Sequence, residues 1–311
     1  MTAGPLILVP LEITDAVMTS SSVAEPDTTA GEAAWISGHT YAVGDEAIRT
    51  QTHRVYRRET AGAGTTPPED DATNWTDIRP TNKWAAFDGE ISTQSTDVEE
   101  LSWVLRPGFF NSIAMYGLEG EEVQAVVKDT PGGSVVFDQT IGLIEPVPDW
   151  YEWYFSPIKA ANKLLFSDIL PYPDAELTLT VRASPGITVK AGMAAIGDLR
   201  PLITSNDWGG TLGGAKAEPR SFSYIKTELD GTTRIIKRRA ATDNTFSVAL
   251  PRIDADYALA SLQEVLDVPC AVIATSEPGF LGLNTFGLVS GSMSYDSYGN
   301  ATLTITTKGM V

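Results

Sequence analysis

One cysteine, Cys270, and two histidines, His39 and His53, are all that this chain of 311 residues offers to thiol and imidazole chemistry. An intrachain disulfide is therefore impossible and a thiolate metal cluster is excluded. Cys270 lies in the apolar run Pro269–Ala274, which suits a buried, inert thiol better than a nucleophile. The two histidines fall in one short segment and match no ligand spacing such as H-x-x-x-H, so hydrolytic triads and zinc sites lack raw material. Long apolar runs are missing too. No window approaches the roughly 18 uncharged apolar residues of a membrane span. The early run Pro5–Leu11 ends at Glu12 without a basic leader, and it reads as a strand and not as a signal peptide. Bases are scarce: 22 against 40 acids, a net charge of −18. That balance repels phosphate backbones and argues against nucleic acid as a partner.

What is present is an ordinary globular composition, 42% hydrophobic and 20% charged. The length exceeds most single cores, so two or three domains are expected. Punctuation by Ser, Thr, Gly and Pro divides the chain into an N-terminal strand and linker (1–34), a small aromatic module (35–80), a middle unit (81–204) and a C-terminal unit (205–311). The first 80 residues carry 12 acids and 5 bases, residues 81–204 carry 17 and 8, and residues 205–311 carry 11 and 9. A near-neutral last third beside two acidic portions suits an assembly domain bearing solvated outer ones.

Short alternating bursts at 122–128, 134–141, 162–167, 176–182 and 187–196, separated by Pro-Gly turns, predict an antiparallel β-sandwich or jelly roll in the middle unit. In the C-terminal unit, Asp230-Gly231 between two β-like runs predicts a hairpin. Leu259, Leu262 and Leu266, with Ala258 and Val265, fall on one face of a single helix at about 253–267. Three further strands are expected after it. The fold class is thus mainly β.

Residues 35–78 hold Trp35, then Tyr41-Ala-Val-Gly-Asp45, His53-Arg-Val-Tyr56, Pro67-Pro68 and Asn74-Trp75. This pattern resembles the chitin-binding-type (family 5/12-like) carbohydrate-binding module found in chitinases and in many phage tail proteins. The resemblance makes Trp35, Tyr41, Tyr56 and Trp75 candidate sugar contacts. A module this small also needs its aromatics as core, and both roles stand open. In chitin-binding members a pair of adjacent aromatics follows the strand tyrosine; here Arg57-Arg58-Glu59-Thr60 offers no flat platform.

Lys83-Trp-Ala-Ala-Phe-Asp-Gly89, with Ser92-Thr93 beyond it, resembles the opening of galactose-binding-like jelly rolls, which implies Asp88 as a donor to a structural calcium. The same stretch, with Tyr116-Gly-Leu118 and Asp149-Trp-Tyr-Glu-Trp-Tyr-Phe155, resembles phage virion proteins that place such a sandwich after the small module. Read as a strand, the aromatic run places Tyr151, Trp153 and Phe155 together, one face filling core and the other meeting a subunit. The C-terminal strands and helix are similar in outline to ring-forming tail-tube and distal-tail proteins. These resemblances imply a non-enzymatic virion subunit of a phage tail, tail tip or baseplate, made in the host cytoplasm. Its partners would be further copies of itself, other tail proteins and host-surface polysaccharide. The rival expectation is a carbohydrate-binding adhesin or an accessory module of a polysaccharide-degrading system.

Overall fold

The computed structural model describes residues 4–144, 149–155, 160–205, 208–227, 232–238, 240–275 and 280–310. Two antiparallel sheets dominate a mainly β chain. The longer has ten strands, in the order Lys163–Phe166, Ser112–Tyr116, Met193–Pro201, Leu6–Pro10, Cys270–Ile273, Asn284–Ser294, Asn300–Gly309 and Ala240–Pro251. Gly210–Thr211 and Lys216–Ser221 both pair with the last of these. The second sheet runs Val135–Gly142, Glu122–Lys128, Glu176–Arg182, Glu100–Leu105 and Met18–Ser21.

Strand Leu6–Pro10 joins the two halves of the long sheet. It pairs with Met193–Pro201 on one side and with Cys270–Ile273 on the other. Its successive side chains point to opposite faces, and Ile7 and Leu8 are each fully buried, in different clusters.

The five-stranded sheet closes over one end of the long sheet. Leu101, Trp103, Val123, Ala125, Val127, Leu177 and Leu179 meet Ile113, Met115, Phe166 and Ile196 between them. Glu122–Lys128 alternates half-buried and buried side chains along its whole length, the pattern of a strand with one face on a core.

Two helices occur among the described residues: α1 (Trp150–Phe155) and α2 (Arg252–Glu264). Pro251, whose fixed φ suits a helix entry, stands immediately before α2. The buried face of α2 is Asp254, Ala255, Ala258, Ser261 and Leu262, while Leu259 is half-buried and Leu266 exposed. The face predicted from leucine spacing is therefore rotated toward small residues. The reason is close approach: a Cβ on Gly291 would stand 2.7 Å from Leu262 Cδ2 and 2.8 Å from the Thr304 carbonyl. Ala255 and Ala258 pack near Phe246, Val248, Leu250, Leu303 and Ile305 in one core cluster.

Two other expectations change. The linker expected after the first strand within residues 1–34 contains strand Met18–Ser21 and two buried acids, Asp27 and Glu32. The aromatic run at 150–155 is helical and not extended, which puts Trp150 and Tyr154 on one face and Tyr151 and Phe155 on another.

Candidate functional site

The small module is a three-stranded sheet, Glu46–Arg49, Arg54–Arg58 and Trp75–Pro80, beside a short pair formed by Thr40–Tyr41 and Gly62–Ala63. Its core cluster is Tyr41, Ala47, Tyr56 and Trp75, with Trp35 half-buried against it. The sequence thus brings all four candidate sugar-contact rings into one cluster. Tyr41 and Trp75 meet edge to face with centroids 5.0 Å apart. The Tyr41 hydroxyl accepts from the Ile36 amide at 2.8 Å, and the Tyr56 hydroxyl donates to Thr52 Oγ1 at 3.1 Å. Buried Arg58 lies over the Trp75 ring at 5.0 Å, and Arg49 lies over the Trp35 ring at 5.1 Å. Tyr41, Tyr56 and Trp75 are buried, so none offers an open face to a pyranose.

Asp88 is half-buried after a 3-10 turn, Ala85–Phe87. Its Oδ1 accepts from the Glu90 amide at 2.8 Å and its Oδ2 from Thr93 Oγ1 at 2.5 Å. Burial pushes its carboxyl above the ordinary value of 3.8, against the Thr93 and Glu90 hydrogen bonds that lower it. Calcium takes six to eight oxygens. Among the described residues no group of three or more His, Cys, Asp or Glu is placed to hold a metal. The Asp88 carboxylate is tied within its own loop by these two hydrogen bonds.

A polar clasp between the small module and the sandwich is the feature the sequence did not disclose. His53 stacks on Trp84 with centroids 4.2 Å apart. Its Nδ1 lies 3.1 Å from Glu25 Oε2 and its Nε2 lies 3.0 Å from Asp15 Oδ2. Glu25 also accepts from Thr81 Oγ1 at 2.8 Å and from Trp84 Nε1 at 3.2 Å. Alongside, buried Asn82 donates from Nδ2 to Asp27 Oδ2 at 2.6 Å and from its amide to Glu32 Oε1 at 2.8 Å. Burial acts to raise the Asp27 carboxyl, but hydrogen bonds from Thr29, Asn82 and the Ala30 amide outweigh it and hold it below 3.8. The clasp fixes the module to the unit that follows it.

Cys270 is fully buried in its strand, and burial pushes its thiol up to about 12, which makes it a poor nucleophile. A cavity of about 450 Å³ lies where the sandwich meets the C-terminal strands, lined by Tyr116, Glu119, Lys163 and Asn284 among others. Lys163 Nζ donates to the Asn284 carbonyl at 2.8 Å, and burial holds its ammonium below the ordinary lysine value.

The C-terminal unit carries a two-stranded ribbon, Tyr224–Thr227 paired antiparallel with Thr233–Ile236. Every one of its eight residues is exposed. Asp230 and Gly231, named as its turn, lie outside the described residues.

No protein-family model matches the chain, and no curated protein matches it. Among solved structures the chain is similar to an F5/8 type C domain from Bacteroides fragilis. That similarity has 15% identity and a TM-score of 0.24, over 38% of this chain and 80% of the other. A TM-score that low carries no argument, and the site rests on its own geometry. No helix among the described residues is long and apolar enough to cross a membrane.

Proposed function

We propose that the chain is a non-catalytic structural subunit of a bacteriophage tail, tail tip or baseplate. In this reading residues 205–311 dock to neighbours, and the small module and sandwich are carried outward as contact surfaces. The observation that carries it is the exposed ribbon. A two-stranded hairpin gains little stability by itself in water. One that leaves Tyr224, Ile225, Ile235 and Ile236 in solvent is better explained by a partner that covers them. The virion setting comes from the resemblance of the module, the sandwich and the C-terminal outline to phage tail proteins.

No cofactor is needed for such a role, and its chemistry is geometric. The buried thiol and the engagement of both His53 ring nitrogens by carboxylates support a chain without catalysis. The rival reading, a carbohydrate-binding adhesin, has against it the burial of Tyr41, Tyr56 and Trp75. A glycan array combined with electron microscopy of the purified chain separates the two. Uniform assemblies with no saturable sugar binding are expected. Saturable binding to a host polysaccharide by a chain that never assembles would overturn the structural role.

A further inference from the structure

Three cations line one groove where the ribbon leaves the long sheet. Arg220 stands on strand Lys216–Ser221, Arg238 just beyond Thr233–Ile236, and Lys308 on Asn300–Gly309. The groove has a volume of about 630 Å³, and Phe222 and Met310 give it apolar walls. Among the described residues Glu90 is the one acid that lines it.

Acids outnumber bases in this chain by 40 to 22, so a cation ordinarily finds a carboxylate. Arg49 meets Glu69 at 2.8 Å, Arg182 meets Glu100 at 3.0 Å and Lys190 meets Glu119 at 2.7 Å. Arg238 and Lys308 are exposed, and neither has an ion pair or a side-chain hydrogen bond among the described residues. Two uncompensated cations beside a third make a local positive potential on an otherwise acidic molecule.

Arg220 is already set in place. Its Nη2 donates to Asp243 Oδ1 at 3.1 Å and to the Gly309 carbonyl at 3.2 Å, and its guanidinium lies over the Phe222 ring at 4.8 Å. Asp243 Oδ1 accepts in turn from the Gly309 amide at 2.9 Å. The Arg220 Nε is buried and has no hydrogen-bond partner. Buried polar groups are paired with few exceptions, and an ion or water that completes the site is a usual reason for one that is not.

We propose that this groove binds an oxyanion, a carboxylate or a phosphate monoester, carried on an apolar body. The guanidinium fork matches either group bidentately, and Arg238 and Lys308 add charge around it. An inorganic ion would use only the cationic side of the groove. Phe222, which is 42% exposed, and Met310 offer an organic body a surface to cover. A bound anion links Arg220 and Lys308 on the sheet to Arg238 at the foot of the ribbon, and so braces the ribbon against the sheet. The inference stands on the groove alone and does not require the assembly role.

The test is isothermal titration calorimetry of the full chain at low ionic strength with phenyl phosphate, benzoate, inorganic phosphate and benzyl alcohol. At least one of phenyl phosphate and benzoate is expected to bind saturably, one per chain. Inorganic phosphate should bind at least about three-fold more weakly than the better of them, and benzyl alcohol not at all. Arg238→Gln with Lys308→Gln alters two exposed side chains without ion pairs, so the fold is kept, and affinity should fall at least about tenfold. Glu90→Gln removes a repelling charge and should raise affinity about three-fold. With the aryl anion bound, amides of residues 224–227 and 233–236 should exchange hydrogen more slowly. No saturable binding of either aryl anion, or equal binding by the double variant, would overturn the site. Equal affinity for inorganic phosphate would overturn the apolar body, and unchanged ribbon exchange would overturn the bracing.

Discussion

Tyr41 and Trp75 meet edge to face at 5.0 Å, and Arg58 lies over the indole at 5.0 Å, so one buried contact carries much of the small module. Trp75→Ala is expected to remove about 3–5 kcal/mol, most of what a module of this size possesses. Near-ultraviolet circular dichroism and limited proteolysis should show residues 35–80 unfolded while the sandwich stays folded. A module that keeps its fold after this change would mean that the rings are not its core.

Asn82 donates to Asp27 and Glu32 from within the clasp, and both acids are buried. Asn82→Ala deletes the side-chain donor to Asp27 and the acceptor for the Thr96 amide. A cost of about 2–3 kcal/mol is expected, since hydrogen bonds to charged groups are the stronger ones. Urea denaturation reads it as a lower midpoint with an unchanged slope. An unchanged midpoint would show that the clasp is decorative.

Leu6–Pro10 lies between strands drawn from distant parts of the chain, with Ile7 and Leu8 fully buried. Removing residues 1–11 should leave two facing strand edges unpaired and cost the burial of both side chains, roughly 1.5–3 kcal/mol each. The expected outcome is loss of soluble protein from both the sandwich and the C-terminal unit. A shortened chain that melts like the full one would contradict the continuous sheet.

Acid should destabilise the fold through Asp27 and Asp254. Burial acts to raise the Asp254 carboxyl, and hydrogen bonds from Ser205 and Thr204 outweigh it, as the Thr29 and Asn82 bonds do for Asp27. Both folded values lie below the ordinary 3.8. Each group therefore contributes stability that is fully present above its unfolded value and is lost as pH falls through the folded one. Thermal midpoints should decline below about pH 4. Asp254→Asn should flatten that decline at the expense of stability at neutral pH, and an identical acid limb in the variant would contradict the assignment.

Much of the sandwich was legible because alternation is local. Glu122–Lys128 and Glu176–Arg182 were bounded correctly by their own residues and the turns around them. What escaped depends on distant partners. Asp27 and Asn82 lie 55 residues apart, and nothing near either marks the pair. The central place of Leu6–Pro10 needs strands near residues 197 and 272, which no local pattern supplies. Along α2, hydrophobic weighting favoured the leucines, whereas Ala255, Ala258 and Ser261 face inward because the opposing strand is open at Gly291. The four rings of the small module were found by spacing. Their burial followed only once the strands were in place.

In the proposed role the chain is an assembly subunit whose C-terminal ribbon makes contact with neighbours. Light scattering on the full chain over a range of concentrations, beside a variant whose residues 223–237 are replaced by a short glycine–serine turn, tests it most directly. The intact chain should give a uniform oligomer, and the shortened one a folded monomer near 33.3 kDa less the removed residues. An intact chain that remains monomeric throughout, or a shortened one that assembles as well as the intact one, would contradict the claim.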